Sequence, residues 1–135
     1  MSRRTVTSDP ACPCGSGRAF AGCCGPYLAG SAEPPTAEAL MRSRYSAFVR
    51  RDEPWLRTSW HPDTCPAGLD VAADPVQWLG LKVLAVQGGG AGDAEGTVEF
   101  VARGRRHGRA FRLHEASRFV RVLGAWRYVD GEVRD

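Results

Sequence analysis

Four of the chain's five cysteines, Cys12, Cys14, Cys23 and Cys24, lie within thirteen residues of the stretch "ACPCGSGRAFAGCCGP". Four thiolates are the donor set of a closed, tetrahedral structural zinc site. A filled coordination shell leaves no position for water, so such a site builds structure rather than catalyses. Gly15, Ser16, Gly17, Gly22 and Gly25 suit tight turns, and small residues let backbone N–H groups approach sulfur. Phe20 is the local apolar side chain. A segment this short has little core of its own, and a metal would supply its folding energy. The spacing, Cys-x-Cys and then Cys-Cys, departs from the common C-x(2–4)-C pattern. Redox thiols, another soft metal or two disulfides are the alternatives. Disulfides are disfavoured in a reducing compartment, and a Cys23–Cys24 bridge would be strained.

A second group of residues could do acid–base work. "LMRSRYSAF" carries Arg44 and Tyr45, "SWHP" carries Trp60 and His61, and "LHEASRF" carries His114, Glu115, Ser117 and Arg118. Glu115 shares the strand parity of Phe111 and Leu113, so it points at the core unless a bulge intervenes. A buried carboxylate needs a partner, and Arg44 and Arg118 are the obvious ones. The bland reading is an ion pair that locks helix to sheet. The functional reading is a general base, Glu115 or His114, with an arginine that binds an anionic substrate. His61, ahead of Pro62, reads as a helix-end histidine, and the four tryptophans read as core and cavity wall. Cys65, in "HPDTCPAG", reads as a free loop thiol; a nucleophile would need a base beside it, and His61 is the nearby candidate. The turn "ARGRRHGRAF" places Arg103, Arg105, Arg106, His107 and Arg109 together. They could grip phosphate, or they could be a solvated hairpin tip. "GGGAGD" has no following helix and no Lys-Ser/Thr, so it is no phosphate loop.

The elements that position these groups follow from periodicity. Thr36 is placed to cap a helix in which Leu40, Met41, Tyr45, Phe48 and Val49 form one apolar face through about Arg51. Pro54 opens a short helix holding Trp55 and Leu56. From Trp78 the period changes to that of strands: "LGLKVLAVQ", "GTVEFVARG", "RAFRLHEASRFVRVL" and "WRYV". In the third, Phe111 and Leu113 share one parity while Val120 and Val122 take the other, which predicts a bulge near 115–118. Helices followed by an antiparallel meander is an α+β layout.

Length and composition set the frame. The chain's 135 residues suffice for about one domain, and 43% hydrophobic with 24% charged residues is ordinary globular usage. The formal charge is +3, and four thiolates holding one zinc would reduce it to about +1. Bulk charge therefore argues little for nucleic acid. No apolar run approaches the ~20 residues of a membrane-spanning helix, and the N-terminus lacks an apolar leader core, so a cytoplasmic location is expected.

"CPCGSGRAFAGCCG" closely resembles the SEC-C motif, the small zinc module at the C-terminus of the SecA translocation motor. "TAEALMRSRYSAFVRRD", "WLRTSWHPDT" and "EFVARGRRHGRAFRLHEASRFVRVLGAWRYVDG" resemble the YchJ family of small bacterial proteins, and the likeness covers nearly the whole chain. The resemblance implies zinc on Cys12, Cys14, Cys23 and Cys24, with residues 1–27 forming a tail and zinc module. It implies a nuclear-transport-factor-2-like domain over 28–135, a curved antiparallel sheet with helices across its concave face. It implies no reaction. A protein partner docking on the zinc module is the first expectation, because the SecA module serves protein contacts. A small ligand or substrate in the cavity is the second, and RNA or DNA on the zinc knuckle and basic hairpin is the third. A dimer through the sheet is conceivable by analogy with the fold class, and no membrane partner is expected.

Overall fold

Thr36 accepts a hydrogen bond from the Ala39 amide at 3.0 Å in the computed structural model, which describes residues 10–134. Residues 1–9, the start of the tail expected within 1–27, lie outside the described residues. Helices α1 (Gly25–Leu28), α2 (Ala37–Arg50) and α3 (Glu53–Thr58) precede strands β1 (Val76–Gly88), β2 (Glu95–Arg106), β3 (Arg109–Val122) and β4 (Ala125–Val133). Thr36 caps α2 as its type and place predict, and the main helix buries Leu40, Met41 and Tyr45. Asp52 caps α3 by accepting from the Trp55 amide at 3.1 Å, with Pro54 in the first turn, where its missing N–H costs nothing.

The strands form one antiparallel meander in the order β1-β2-β3-β4. The β2–β3 register runs unbroken from Glu95↔Val120 to Arg106↔Arg109, so the bulge expected near 115–118 of β3 is absent. The irregularities sit in the edge strands instead. Leu79 and Leu84 are the extra residues of β1, and Val129 is the extra residue of β4 opposite Arg118 and Phe119. Phe111, Leu113, Glu115, Ser117 and Phe119 thus keep one parity and face α2, while Val120 and Val122 belong to the outer face, where they are half-buried. Extra residues on the edges add twist there, which curls the sheet around the helices.

Trp126, Phe119, Leu40, Leu56 and Val98 are fully buried between α2, α3 and the concave face. The segment after α3 joins the free edge of β4: Tyr128 N–H donates to Ser59 O at 2.8 Å and His61 N–H to Tyr128 O at 2.7 Å. That pairing carries Trp60 to the sheet and covers part of an open edge.

Candidate functional site: a cluster of four cysteines and a cavity beneath the main helix

The four clustered cysteines converge, with all Sγ atoms within 4.8 Å of one another and all four side chains buried. Cys14 Sγ and Cys23 Sγ are 3.6 Å apart, far beyond the ~2.05 Å of a disulfide. A tetrahedral ion with metal–sulfur bonds of ~2.3 Å would hold its sulfurs about 3.8 Å apart, so the donor set fits a metal ion without large rearrangement. The turns that bring them together pass through Gly15 (φ 80°) and Gly17 (φ 86°).

The cluster's hydrogen-bond partners are side chains rather than the backbone amides expected from the small residues. Ser16 Oγ lies 3.1 Å and Arg18 Nη2 3.7 Å from Cys23 Sγ, and Ser46 Oγ lies 3.5 Å from Cys12 Sγ. Arg42 Nη1 donates to Cys14 O at 2.8 Å, and Arg50 covers the Phe20 ring at 4.3 Å. Arg42, Ser46 and Arg50 all belong to α2, so the cysteine module is fastened to the main helix. The hydrogen bond from Cys24 holds the Cys14 thiol down to about 4, the same bond pushes Cys24 up, and burial pushes Cys23 up.

Beneath the other face of α2 lies a cavity of about 170 Å³. Tyr45, Phe48, Trp78, Phe100, Leu113 and Phe119 make its walls apolar, and Arg44, Glu115, Ser117 and Tyr128 give it one polar end. Ser117 Oγ donates to Glu115 Oε2 at 2.7 Å. Burial, followed by the Glu115 charge, pushes the Tyr128 hydroxyl up to about 12. The Glu115 side chain lies over Gly131 of β4, where a Cβ would coincide with the carboxylate. Glycine is required there for this placement.

Arg44 is 6% exposed. Its guanidinium is stacked between Trp60 and Tyr128, at 4.6 and 4.4 Å from their ring centroids. Its Nη1 donates to Leu56 O at 3.0 Å and to Ser59 Oγ at 2.7 Å. Burial lowers its pKa to about 10, which still leaves it charged at neutral pH. The expected ion pair does not form: among the described residues no carboxylate lies within 4.0 Å of Arg44, and Glu115 is paired with no arginine. The charge of Arg44 is instead stabilised by two ring faces, the Leu56 carbonyl and the Ser59 hydroxyl. Two buried side-chain polar atoms among the described residues lack any hydrogen-bond partner, Trp60 Nε1 and Trp78 Nε1, and both tryptophans line this cavity.

The remaining candidates lie elsewhere. His114 and Arg118 have the opposite parity to Glu115 and sit on the outer face. His114 Nε2 is 2.6 Å from Glu99 Oε2, and Arg118 makes a two-pronged pair with Asp130 at 2.8 and 2.9 Å. The grouping of His114, Glu115 and Arg118 is therefore corrected: the strand's period of two splits it. His61 Nδ1 accepts from the Asp63 amide at 3.0 Å in the loop after α3 and does not line the cavity. Cys65 is partly exposed, with its thiol 3.6 Å from Pro66 O. Of the hairpin arginines, Arg106 is 4.0 Å from Asp74, Arg109 stands opposite Arg106, and Arg103 and Arg105 point to the outer face. Tyr128, which sequence reasoning passed over, was signalled by its alternation with Trp126 in "WRYV".

Comparison with known proteins agrees with this architecture. The profile of the family described as "YchJ, middle NTF2-like domain" matches residues 36–131. A UPF0225 protein of Bordetella parapertussis is 51% identical over 134 residues, covering 98% of this chain and 99% of its own. A UPF0225 protein of Cupriavidus metallidurans is 53% identical over 139 residues, covering 98% and 95%. Among solved structures, a SEC-C motif-containing protein from Rhodopseudomonas palustris superposes with a TM-score of 0.76 at 34% identity, covering 92% of this chain and 98% of that one. A second SEC-C motif-containing protein, from Psychrobacter arcticus, gives 0.74 at 27% identity, covering 97% and 86%. With the family profile spanning the helices and the sheet, and relatives at this identity along almost its full length, the chain belongs to the YchJ family.

Proposed function

We propose that this protein binds a small molecule in the cavity under α2, and that zinc in the cysteine cluster holds the main helix in place above it. The observation that carries the reading is the make-up of the cavity, whose apolar walls end at the Glu115 carboxylate, held by Ser117 and paired with no arginine among the described residues. Two of the lining residues, Trp60 and Trp78, also carry indole N–H groups with no protein partner, an uncommon arrangement for buried donors. Glu115 supplies the complementary acceptor, already steadied by Ser117. An apolar body with a few convergent polar groups is the usual make-up of a ligand site. A cavity of ~150 Å³ holds a benzene-sized molecule, so the space here of about 170 Å³ suits a one-ring compound. Its head would carry a donor for Glu115, as an amide or lactam does.

Saturation-transfer NMR with benzamide tests the reading. Transfer to the wild-type protein, lost when Leu113→Trp fills the cavity, is the expected result. Absence of transfer from benzamide and from other one-ring amides, or equal transfer to the filled variant, would overturn it. Zinc is favoured over other ions by four thiolate donors in a closed site. A protein partner on the metal module is the second reading, supported by a polar cleft of about 360 Å³ between the module and α2, lined in part by Ser16, Arg18, Glu38 and Arg42. Zinc-dependent capture that disappears with Cys23→Ser supports it, and identical captures with both baits count against it.

A further inference from the structure

The outer face of the sheet carries a group of cations that the cavity does not use. The register sets Gly80, Arg103 and Arg112 side by side across β1, β2 and β3, and puts Lys82 and Val101 in the next row. Lys82, Arg103 and Arg112 surround a groove of about 250 Å³ whose lining includes Gly80, Leu84 and Val101. Val101 is 8% exposed although it stands outside the main apolar cluster, and the aliphatic stems around it account for its cover.

Like charges placed directly opposite each other on neighbouring strands are destabilising, and Arg103 faces Arg112 in that way. Among the described residues none of the three cations has a carboxylate within 4.0 Å. Farther along the same face two basic side chains do have acid partners: His114 meets Glu99, and Arg118 meets Asp130. Gly80 sharpens the contrast. A Cβ there would stand 3.3 Å from Arg103 Nη2, so the guanidinium lies across the glycine backbone, beside the groove. Lys82 is the chain's single lysine and stands on the same groove.

The geometry points to an oxyanion site at Lys82, Arg103 and Arg112 that takes the phosphate group of a phosphate ester. Two guanidinium forks with an ammonium beside them match the oxygens of one phosphate, and the anion relieves the repulsion between Arg103 and Arg112. Arg105, two residues along the same face of β2, extends the positive strip by ~6.8 Å. Among the described residues the exposed large apolar side chains are the aliphatic Leu79, Leu84, Val86, Leu123 and Val133, so the described face offers no stacking platform and reads charge rather than bases.

The test is an amide-resolved NMR titration of the metal-loaded, full-length protein at low ionic strength, with pyrophosphate in one arm and oligouridylate in the other. Either anion should shift the amides of Lys82, Val101, Arg103 and Arg112. Arg103→Gln with Arg112→Gln should weaken binding by about tenfold or more, while Arg118→Gln leaves it unchanged. Binding of pyrophosphate alone assigns the site to small phosphate-bearing molecules. Oligouridylate binding that falls steeply with salt and needs the same arginines assigns it to a nucleic-acid backbone. A melting measurement gives an independent readout: without anion, Arg112→Gln should melt no lower than wild type, because it removes a like-charge pair. Failure of both anions to shift these amides, undiminished affinity in the double variant, or shifts centred on Arg118 and Asp130 would overturn the assignment.

Discussion

Gly131→Ala is the substitution that most directly probes the polar end of the cavity. The added methyl would occupy the space now held by the Glu115 carboxylate. Gly131 is not among the glycines with positive φ, so alanine meets no backbone strain there. On the backbone alone the change should stabilise by about 0.4–1 kcal/mol through the unfolded chain. Against that, the carboxylate must swing away and give up the 2.7 Å bond from Ser117 Oγ. A hydrogen bond to a charged group contributes about 1.5–3 kcal/mol. The balance is a destabilisation of roughly 1–2 kcal/mol, which for a chain of this size lowers Tm by about 3–8 °C. Urea unfolding and thermal melting of Gly131→Ala read this directly. Gly68→Ala serves as the control, since a Cβ at Gly68 meets nothing within 4 Å. Benzamide transfer should fall in parallel, because the acceptor for the ligand's N–H has moved. If Gly131→Ala is as stable as wild type or more so, and still receives transfer, the placement of Glu115 and the ligand site built on it are both wrong.

Two further outcomes are expected. Carefully reduced protein should carry about one zinc per chain, and because structural zinc contributes ~10–16 kcal/mol against a whole-domain stability of ~5–15 kcal/mol, chelation should lower Tm by at least about 10 °C; an unchanged melt after the metal is gone would refute the structural role. The raised pKa of Tyr128, about 12 against an ordinary value of about 10, means that its stabilising contribution is whole below pH ~10 and lost as pH climbs through about 12. Tyr128→Phe should therefore flatten the alkaline limb of the stability profile, and an identical limb in both proteins would rule out this assignment.

Local signals in the chain were enough for α2, α3, the strand series and the grouping of the four cysteines, though not for the one-turn helix α1. Thr36 and Asp52 cap helices because a short side-chain oxygen can reach an orphan amide two or three residues on, which is a matter of sequence spacing. Four thiols within thirteen residues can converge through tight turns whatever the remaining residues do, so their grouping was legible too. Strand parity was legible only in part. Phe111, Leu113 and Glu115 read correctly as one face, but Val120 and Val122 suggested a bulge in β3 that is absent, because apolar residues half-buried on an outer face look the same in sequence as core residues. The real irregularities, at Leu79, Leu84 and Val129, depend on how edge strands bend around a helix, a non-local matter.

The pairing of charges was decided by tertiary structure alone. Arg44, Arg118 and Glu115 were indistinguishable as partners in the chain, since nothing local says which face a guanidinium reaches from a helix or a strand. Packing sends Arg118 outward to Asp130 and wedges Arg44 between Trp60 and Tyr128, residues 68 positions apart that meet because the segment after α3 pairs with β4. It sets Arg103 against Arg112 across a hairpin with no acid to answer them. Sequence by itself determined the grouping of the four cysteines and the order of the main elements, because those rest on short-range geometry. Only the fold decided which charges are answered and which are left open, because that depends on what distant backbone brings within a few ångströms.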